Sequence, residues 1–335
     1  MTQANNNAPA DKAVASAASA ATAKEVALKK QNTMRMVRAL LPIAGLVIIF
    51  ALFSYLTNGR LITRLPLAMS TVYVIMISAM GVFFIMTIGG LDFSQGSILG
   101  LSAIVVCYVS RYSIELSILA GILTGAAVGA VNGYFYVHRK IKSFIVTICT
   151  MFLFRGLIKF LTTEAPVAGD PMLVMWDSTA FKVTATVIVV GIGFICFNFT
   201  KFGIYLRAIG AGEKAAMFAG IRTDRVKFLV YVLAGAITGF AAFISAIKIG
   251  SVTSNGGNQL ETQILIALVL GGMPISGGAM ARFYNVIVGS LLYVVLTSGL
   301  TMMGFSTQMM QLIQGVVFLA FVAIFADRQS QSVIK

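Results

Sequence analysis

The chain has 335 residues, 58% of them hydrophobic and 11% charged, with a mean hydropathy of +0.92; soluble domains carry about 25% charged residues. This composition excludes a water-soluble globular enzyme, and it excludes disorder over most of the length, which requires low hydrophobicity. The formal charge of +14 would suggest nucleic acid in a soluble protein. Here the Lys and Arg gather in an N-terminal tail and a few loops with no interleaved aromatics, so no nucleic-acid partner is expected.

Residues 1–33, rich in Ala, Asn, Ser and Lys, read as a flexible cytoplasmic tail. Their polar lead is too long for a cleaved signal peptide. Ten apolar segments follow, at about 39–57, 66–88, 97–110, 113–136, 143–161, 181–199, 226–247, 259–271, 283–301 and 307–326; segments of this kind are expected to be membrane helices. Two of them, 97–110 and 259–271, are short for a hydrocarbon core of ~30 Å at ~1.5 Å per residue. Each borders a Gly-rich stretch and is expected to be a half-span or a broken helix buried among others. If all ten cross and the N-terminus is inside, most Lys and Arg face the cytoplasm, as do both termini.

Gly89-Gly90-Leu91-Asp92-Phe93-Ser94-Gln95-Gly96 is echoed by Gly271-Gly272-Met273-Pro274-Ile275-Ser276-Gly277-Gly278. The echo fits either duplicated halves or the general frequency of Gly pairs in membrane helices. Within the first stretch, Asp92 and Ser94 are expected to cap a helix restarting at Ser97. That places them either on a broken helix at a solute pathway or in a tight cytoplasmic turn. Gln95, Asn132, Asn255, Asn258, Gln259 and Glu261 are the other polar groups able to meet a solute, or merely to satisfy backbone and water. Arg155 and Lys159 share a helical face. Lys159 can snorkel outward, whereas the deeper Arg155 needs a partner, either as a structural tie or as a solute contact.

No phosphate-binding G-x-x-x-x-G-K-[ST], H-E-x-x-H or G-x-S-x-G motif occurs. Cys107, Cys149 and Cys196 lie in apolar runs without C-x-x-C spacing, and the single His138 stands in a basic loop. The chain is therefore expected to bind no metal or cofactor and to catalyse no covalent step. Asp92, Glu115 and Glu261 are the few carboxylates near segment ends, which disfavours ion-coupled transport. In the loop at about 200–226, Gly210 and Gly212 are expected to make a turn. Glu213 then opens a short helix, complementing its N-terminal dipole. Ala215, Ala216 and Ala219 allow close approach, Met217, Phe218 and Ile221 form an apolar ridge, and Gly220 ends the helix. Such a helix is either a docking knob for a partner protein or an interfacial helix lying on lipid.

This loop resembles the segment A-I-G-G-N-x-E-A-A-x-x-x-G-I of the permease subunits of bacterial ABC sugar importers, the ribose/galactose/arabinose/xylose group within the branched-chain-type binding-protein-dependent permeases. It matches at Arg207-Ala208-Ile209-Gly210, Glu213, Ala215, Ala216, Gly220 and Ile221, and departs at Ala211-Gly212 and Lys214. Gly89 to Ser97 resembles the family's G-G-I-D-L-S-V-G-S. Asn132-Gly133, Phe144-Ile145-Val146-Thr147 and Thr150 to Gly156 resemble a second motif, with Ser143 where the family usually has Pro. Glu261 to Gly278 with Gly299-Leu300 resembles a third, with Gln263 in place of Asp and Pro274 in place of Ser. The resemblance implies an all-α integral membrane protein with the ABC importer permease fold and about ten transmembrane helices, two of them short or broken. The transmembrane domain would run over 34–329, with a cytoplasmic end at 330–335. It implies a bacterial cytoplasmic (inner) membrane location and a dimer with a second permease subunit, expected to be a homodimer. It also implies an ATPase subunit that holds ATP and Mg and seats the 213–221 helix, and an extracytoplasmic sugar-binding protein. The implied activity is alternating-access import of a ribose- or galactose-like monosaccharide. A nucleoside or branched-chain amino acid permease, and an ion-coupled secondary carrier, are the alternatives.

Overall fold

The computed structural model describes residues 40–274, 277, 278 and 281–325. The expected tail at 1–33 and the end at 330–335 lie outside the described residues. The chain is helical almost throughout: α1 (Leu40–Leu56), α2 (Arg60–Thr63), α3 (Leu65–Met69), α4 (Val72–Thr87), α5 (Gln95–Ser110), α6 (Ile114–Val137), α7 (Ser143–Leu161), α8 (Pro171–Met175), α9 (Thr179–Phe199), α10 (Lys201–Ala211), α11 (Glu213–Phe218), α12 (Thr223–Ile249), α13 (Leu260–Leu270), α14 (Tyr284–Met302) and α15 (Thr307–Phe325). Two short strands, β1 (Val167–Ala168) and β2 (Ser251–Val252), pair antiparallel.

Each of the ten apolar segments is helical over most of its length. Six stretches are long and apolar enough to cross a bilayer: 65–87, α6, α7, α9, α12 and α14. The all-α architecture read from the sequence is thus present, with α1, α5, α13 and α15 falling outside that criterion among the described residues. Leu123, Leu153, Phe160, Ile188, Val316 and Leu319 point outward and are exposed. Side chains of this kind, spread over α6, α7, α9 and α15, need lipid or a partner around them.

α4 lies at the centre and buries nearly every residue. The most extensive seam is between α6 and α12. Gly121, Gly125 and Gly129, spaced four apart on α6, face Gly239, Gly235 and the backbone of Tyr231 on α12. A Cβ on Gly125 would lie 2.1 Å from the Gly235 carbonyl oxygen, and one on Gly239 would lie 2.2 Å from that of Gly121. Helices in lipid associate through packing of small residues at such spacing. The run Gly121, Gly125, Gly129, Gly133 was visible in the sequence, but composition and charge gave no reason to single it out.

The echoed Gly-Gly stretches share one device. Gly89 has φ +80, its N–H donates to the Met86 carbonyl at 2.9 Å, and that of Gly90 donates to Ile85 at 3.0 Å. Gly272 has φ +88, with its N–H on Val269 at 2.8 Å and that of Met273 on Leu268 at 3.0 Å. Both are Schellman stops, which require a left-handed residue. The same stop closes α11 at Gly220, φ +84, so what the two stretches share is a general helix terminator, which does not by itself mark duplication. Ile275 and Ser276 of the second stretch lie outside the described residues.

The loops sort to two ends. At one, the α6–α7 turn, the start of α12, the segment 200–222 and the end of α4 come together. There His138 meets Phe228 edge-on, and the N–H of Gly278 donates to the Thr87 carbonyl at 3.1 Å. This end carries Arg139, Lys140, Lys142, Lys201, Arg222 and Arg225. At the other end β1 pairs with β2, and Arg111 donates to the Ala168 carbonyl at 2.7 Å.

Gly125→Leu should force α6 and α12 apart and lower the thermal stability of the detergent-purified protein by about 3 kcal/mol. Gly191→Ala, where an added Cβ meets nothing within 4 Å, should leave the melting temperature unchanged or slightly raised.

Candidate functional site

After the Gly89 stop the chain does not continue as helix. Residues 90–94 run into the bundle and α5 begins at Gln95. The helix thus restarts two residues before the Ser97 expected from the sequence. Non-helical backbone inside a membrane bundle must find hydrogen bonds elsewhere, and α7 supplies them from one face. Ser143 Oγ accepts from Leu91 N at 3.1 Å, and Thr147 Oγ1 accepts from Phe93 N at 3.1 Å. One turn further on, Thr150 donates to Asn132 Oδ1 at 2.8 Å. Ser143 is one of the departures from the family pattern, and its hydroxyl is the group that Leu91 uses.

Asp92, 2% exposed, organises the turn. Its Oδ1 accepts from Ser94 N at 2.7 Å and Ser94 Oγ at 2.6 Å, and its Oδ2 accepts from Gln95 Nε2 at 2.7 Å. Ser94 accepts from Asn132 Nδ2 at 2.8 Å, and Gln95 Oε1 accepts from Thr238 of α12. Ser94 occupies the N-cap position of α5, but its side chain accepts from no helix N–H. The expectation that it caps the helix is corrected: its lone pairs serve Asn132 and its proton serves Asp92. The network ties α5, α6, α7 and α12 together, and Asp92, Ser94, Gln95 and Asn132 are all buried within it.

Asn258 and Glu261 form a second cluster. Arg155 NH1 donates to Asn258 Oδ1 at 2.9 Å, and Arg155 NH2 lies 3.2 Å from Glu261 Oε1. The partner that Arg155 required is thus a carboxylate and an amide from the opening of α13. A Cβ on Gly96 would lie 2.1 Å from Glu261 Oε2 and 2.3 Å from the Gly257 carbonyl. The loop before α13 therefore lies directly on the start of α5.

The stretch 91–93 alternates. While Asp92 faces the network, Leu91 and Phe93 line a cavity of about 480 Å³ between α4, α13 and α15. Gln259, just before α13, lines it together with Thr262, Gln263 and Ile266 of α13, and α15 presents Gln311, Gln314, Gly315 and Phe318. Glu261 does not line it. Of these polar groups the sequence reading singled out Gln259 and noted Gln263 as a departure. Thr262, Gln311 and Gln314 were missed, although Gln311, Gln314, Gly315 and Phe318 follow i, i+3, i+4, i+7 in an otherwise apolar helix.

At the basic end, 201–211 is helical where a loop was expected. Gly210 belongs to the last turn of α10, and Gly212 alone makes the break before α11. Gly210 is small because it packs: a Cβ there would lie 2.0 Å from the Thr87 carbonyl and 2.8 Å from Gly278 Cα. Glu213 opens α11 and forms an ion pair with Lys227, which stands 5.0 Å over the Tyr136 ring. Gly220 ends the helix as expected. Ala216 was read as part of a surface open to a partner, yet it is 4% exposed and packs on its own chain. Ala215 is exposed, Ile221 is half-buried against the core, and Met217 and Phe218 project at 54% and 85% exposure.

A family model described as branched-chain amino acid transport system / permease component matches residues 66–322. The chain belongs to this family. The resemblance read from the motifs is borne out. The permease is 32% identical over 264 residues to the ribose import permease protein of Bacillus subtilis (strain 168), covering 76% of this chain and 81% of that one. It is 28% identical over 267 residues to the ribose import permease protein of Escherichia coli (strain K12), covering 76% and 82%. It is 30% identical over 270 residues to the L-arabinose ABC transporter permease protein of Azospirillum brasilense, covering 76% and 77%. No solved structure matches the chain.

Asp92→Leu should strand three buried donors of the permease, at about 1–3 kcal/mol each, and abolish recovery of folded protein from membranes. Asp92→Asn should cost only about 1 kcal/mol. In that variant Gln95 can turn its amide over, accepting from the new Nδ2 while the Thr238 hydroxyl accepts instead of donating. Melting of the two variants in detergent checks the contrast.

Proposed function

We propose that the permease is the membrane subunit of an ATP-driven importer that moves a neutral monosaccharide into the cytoplasm by alternating access. It works as a dimer of this chain. ATPase subunits, which hold the ATP and Mg, dock on α11, and an extracytoplasmic binding protein delivers the sugar to the β1–β2 end. The ten apolar helices cross the bacterial inner membrane, with α5 and α13 completing their crossings through the non-helical stretches before them. The basic end is cytoplasmic, as are both termini. The names of the relatives, ribose and L-arabinose permeases, support the monosaccharide.

The observation that carries the coupling role is the build of α10 and α11. Met217 and Phe218 are presented outward on a helix whose other side is held by the Glu213–Lys227 pair and by Ala216. The preceding helix bears on Thr87 and Gly278 through Gly210. Phe202 of α10 and Phe197 of α9 join Phe83 and Phe84 of α4, and Phe83 meets Phe283 before α14. A push on α11 reaches the end of α4, and with it the 90–94 stretch whose Leu91 and Phe93 line the cavity. Among the described residues the carboxylates inside the bundle, Asp92 and Glu261, are both engaged by protein donors, which leaves no open site for a coupling ion there.

Met217→Glu with Phe218→Glu should leave the permease folded, because both side chains project outward. The pair should remove at least about 2 kcal/mol of docking energy and abolish ATP-dependent sugar uptake. Ala216→Trp would instead disturb the seat of α11. Proteoliposomes holding this chain alone should accumulate no sugar under a proton or sodium gradient; accumulation there would overturn the ATP-driven reading.

A further inference from the structure

The cavity between α4, α13 and α15 holds hydrogen-bonding capacity that the protein does not use. Among the described residues, the Gln263 amide and the Thr262 hydroxyl make no side-chain hydrogen bond. Gln311 Nε2 donates to Gln259 Oε1 at 3.0 Å, which leaves the amino group of Gln259 and the carbonyl of Gln311 open. Gln314 is turned aside to Thr297 at 3.2 Å. In an apolar surrounding such groups favour a solute that both donates and accepts. No Asp, Glu, Lys or Arg is among the lining residues. The carboxylates adjacent in sequence to lining residues face elsewhere: Glu261 onto Arg155 and Gly96, and Asp92 onto Ser94 and Gln95. A charged solute would enter without a counter-ion, at a high desolvation cost. The volume of about 480 Å³ falls in the range of small-molecule sites, and Phe93 and Phe318 offer apolar walls to the C–H faces of a ring.

We propose that this cavity is the transit site for the cargo and that its neutral amide lining selects an uncharged polyhydroxylated solute over a zwitterionic amino acid. Gln259, Thr262, Gln263 and Gln311 supply the hydrogen bonds. The inference rests on the importer reading and adds to it a place and a basis for selectivity.

The test uses the full chain in lipid nanodiscs with Cys107→Ala, Cys149→Ser and Cys196→Ser. Single cysteines are introduced at lining positions that make none of the proposed hydrogen bonds, by Ile266→Cys on α13 and Gly315→Cys on α15, and, as a control, by Glu164→Cys in the exposed loop after α7. A small water-soluble methanethiosulfonate should label all three. Saturating D-ribose, L-arabinose or D-allose should slow labelling by about fivefold or more at the two cavity positions, leaving the control unchanged; L-leucine should protect none. Failure of the reagent to reach both cavity positions would show a lipid-filled groove and overturn the proposal. Absence of protection by all three sugars, in a chain that still supports cellular uptake of one of them, would overturn the cavity assignment and leave the importer reading standing. Protection by L-leucine together with chain-dependent leucine uptake would overturn both.

Discussion

The close approach of α6 and α12 is the constraint on which the rest depends. Apolar side chains gain little by meeting each other in lipid, so the helices are held by backbone contact and dispersion where side chains are absent. Gly121, Gly125 and Gly129 meet Gly239, Gly235 and the backbone of Tyr231 at distances that leave no room for a methyl group. This seam sets the separation of Asn132 on α6 from Thr238 on α12. Those two residues are the anchors reached by Ser94 and Gln95. A wider seam would leave one of them out of reach, and the start of α5 would lose half of its support.

The second requirement follows from the first. A chain that leaves helix inside a membrane exposes amides that neither water nor lipid can satisfy. Here the hydroxyls of Ser143 and Thr147, one turn apart on α7, take the N–H groups of Leu91 and Phe93, and Asp92 takes that of Ser94. The stretch then divides by side. Asp92 is committed to the rigid network, while Leu91 and Phe93 face the cavity. The opening of α13 makes the same division at helical spacing, with Glu261 on Arg155 and Gln259, Thr262 and Gln263 on the cavity. Charge is thus confined to the packed side of both elements.

The apolar segments were legible in the sequence because a bilayer demands long uninterrupted hydrophobic runs. The stop at Gly220 was legible because a left-handed residue at a helix end is usually Gly; the stops at Gly89 and Gly272 were not, although their Gly pairs stood out as an echo. What escaped was set by contacts distant in sequence. Gly210 looked like a turn residue, yet it is small because Thr87 and Gly278 press on it. Ala216 looked like a surface for a partner, yet it is small because α11 sits on its own chain. The need of Arg155 for a counter-charge could be read locally, but Glu261 and Asn258 as the answer could not, since they belong to another helix opening. The restart of α5 was placed late because Ser94 was assigned a capping role that Asp92 and Asn132 had already claimed. The α15 glutamines carried a periodic signal that went unused, because a polar face on an outer helix has meaning only once α13 is seen opposite.

On the proposed reading, rigidity and weakness are assigned to different sides of the same elements. Force entering at Met217 and Phe218 has to travel without loss, and the route through Gly210, Thr87 and the phenylalanine cluster is closely packed, as transmission of strain requires. A cargo in transit needs the reverse: contacts sufficient to replace its hydration but too weak to hold it. Neutral amides meet that demand better than charges do, because an ion pair formed in an apolar cavity is costly to break. Leu91 and Phe93 stand where the two requirements meet. Their backbone is fixed to α7, while their side chains form the wall that would have to move, so displacement of the α4 end can reshape the cavity without dissolving the network behind it.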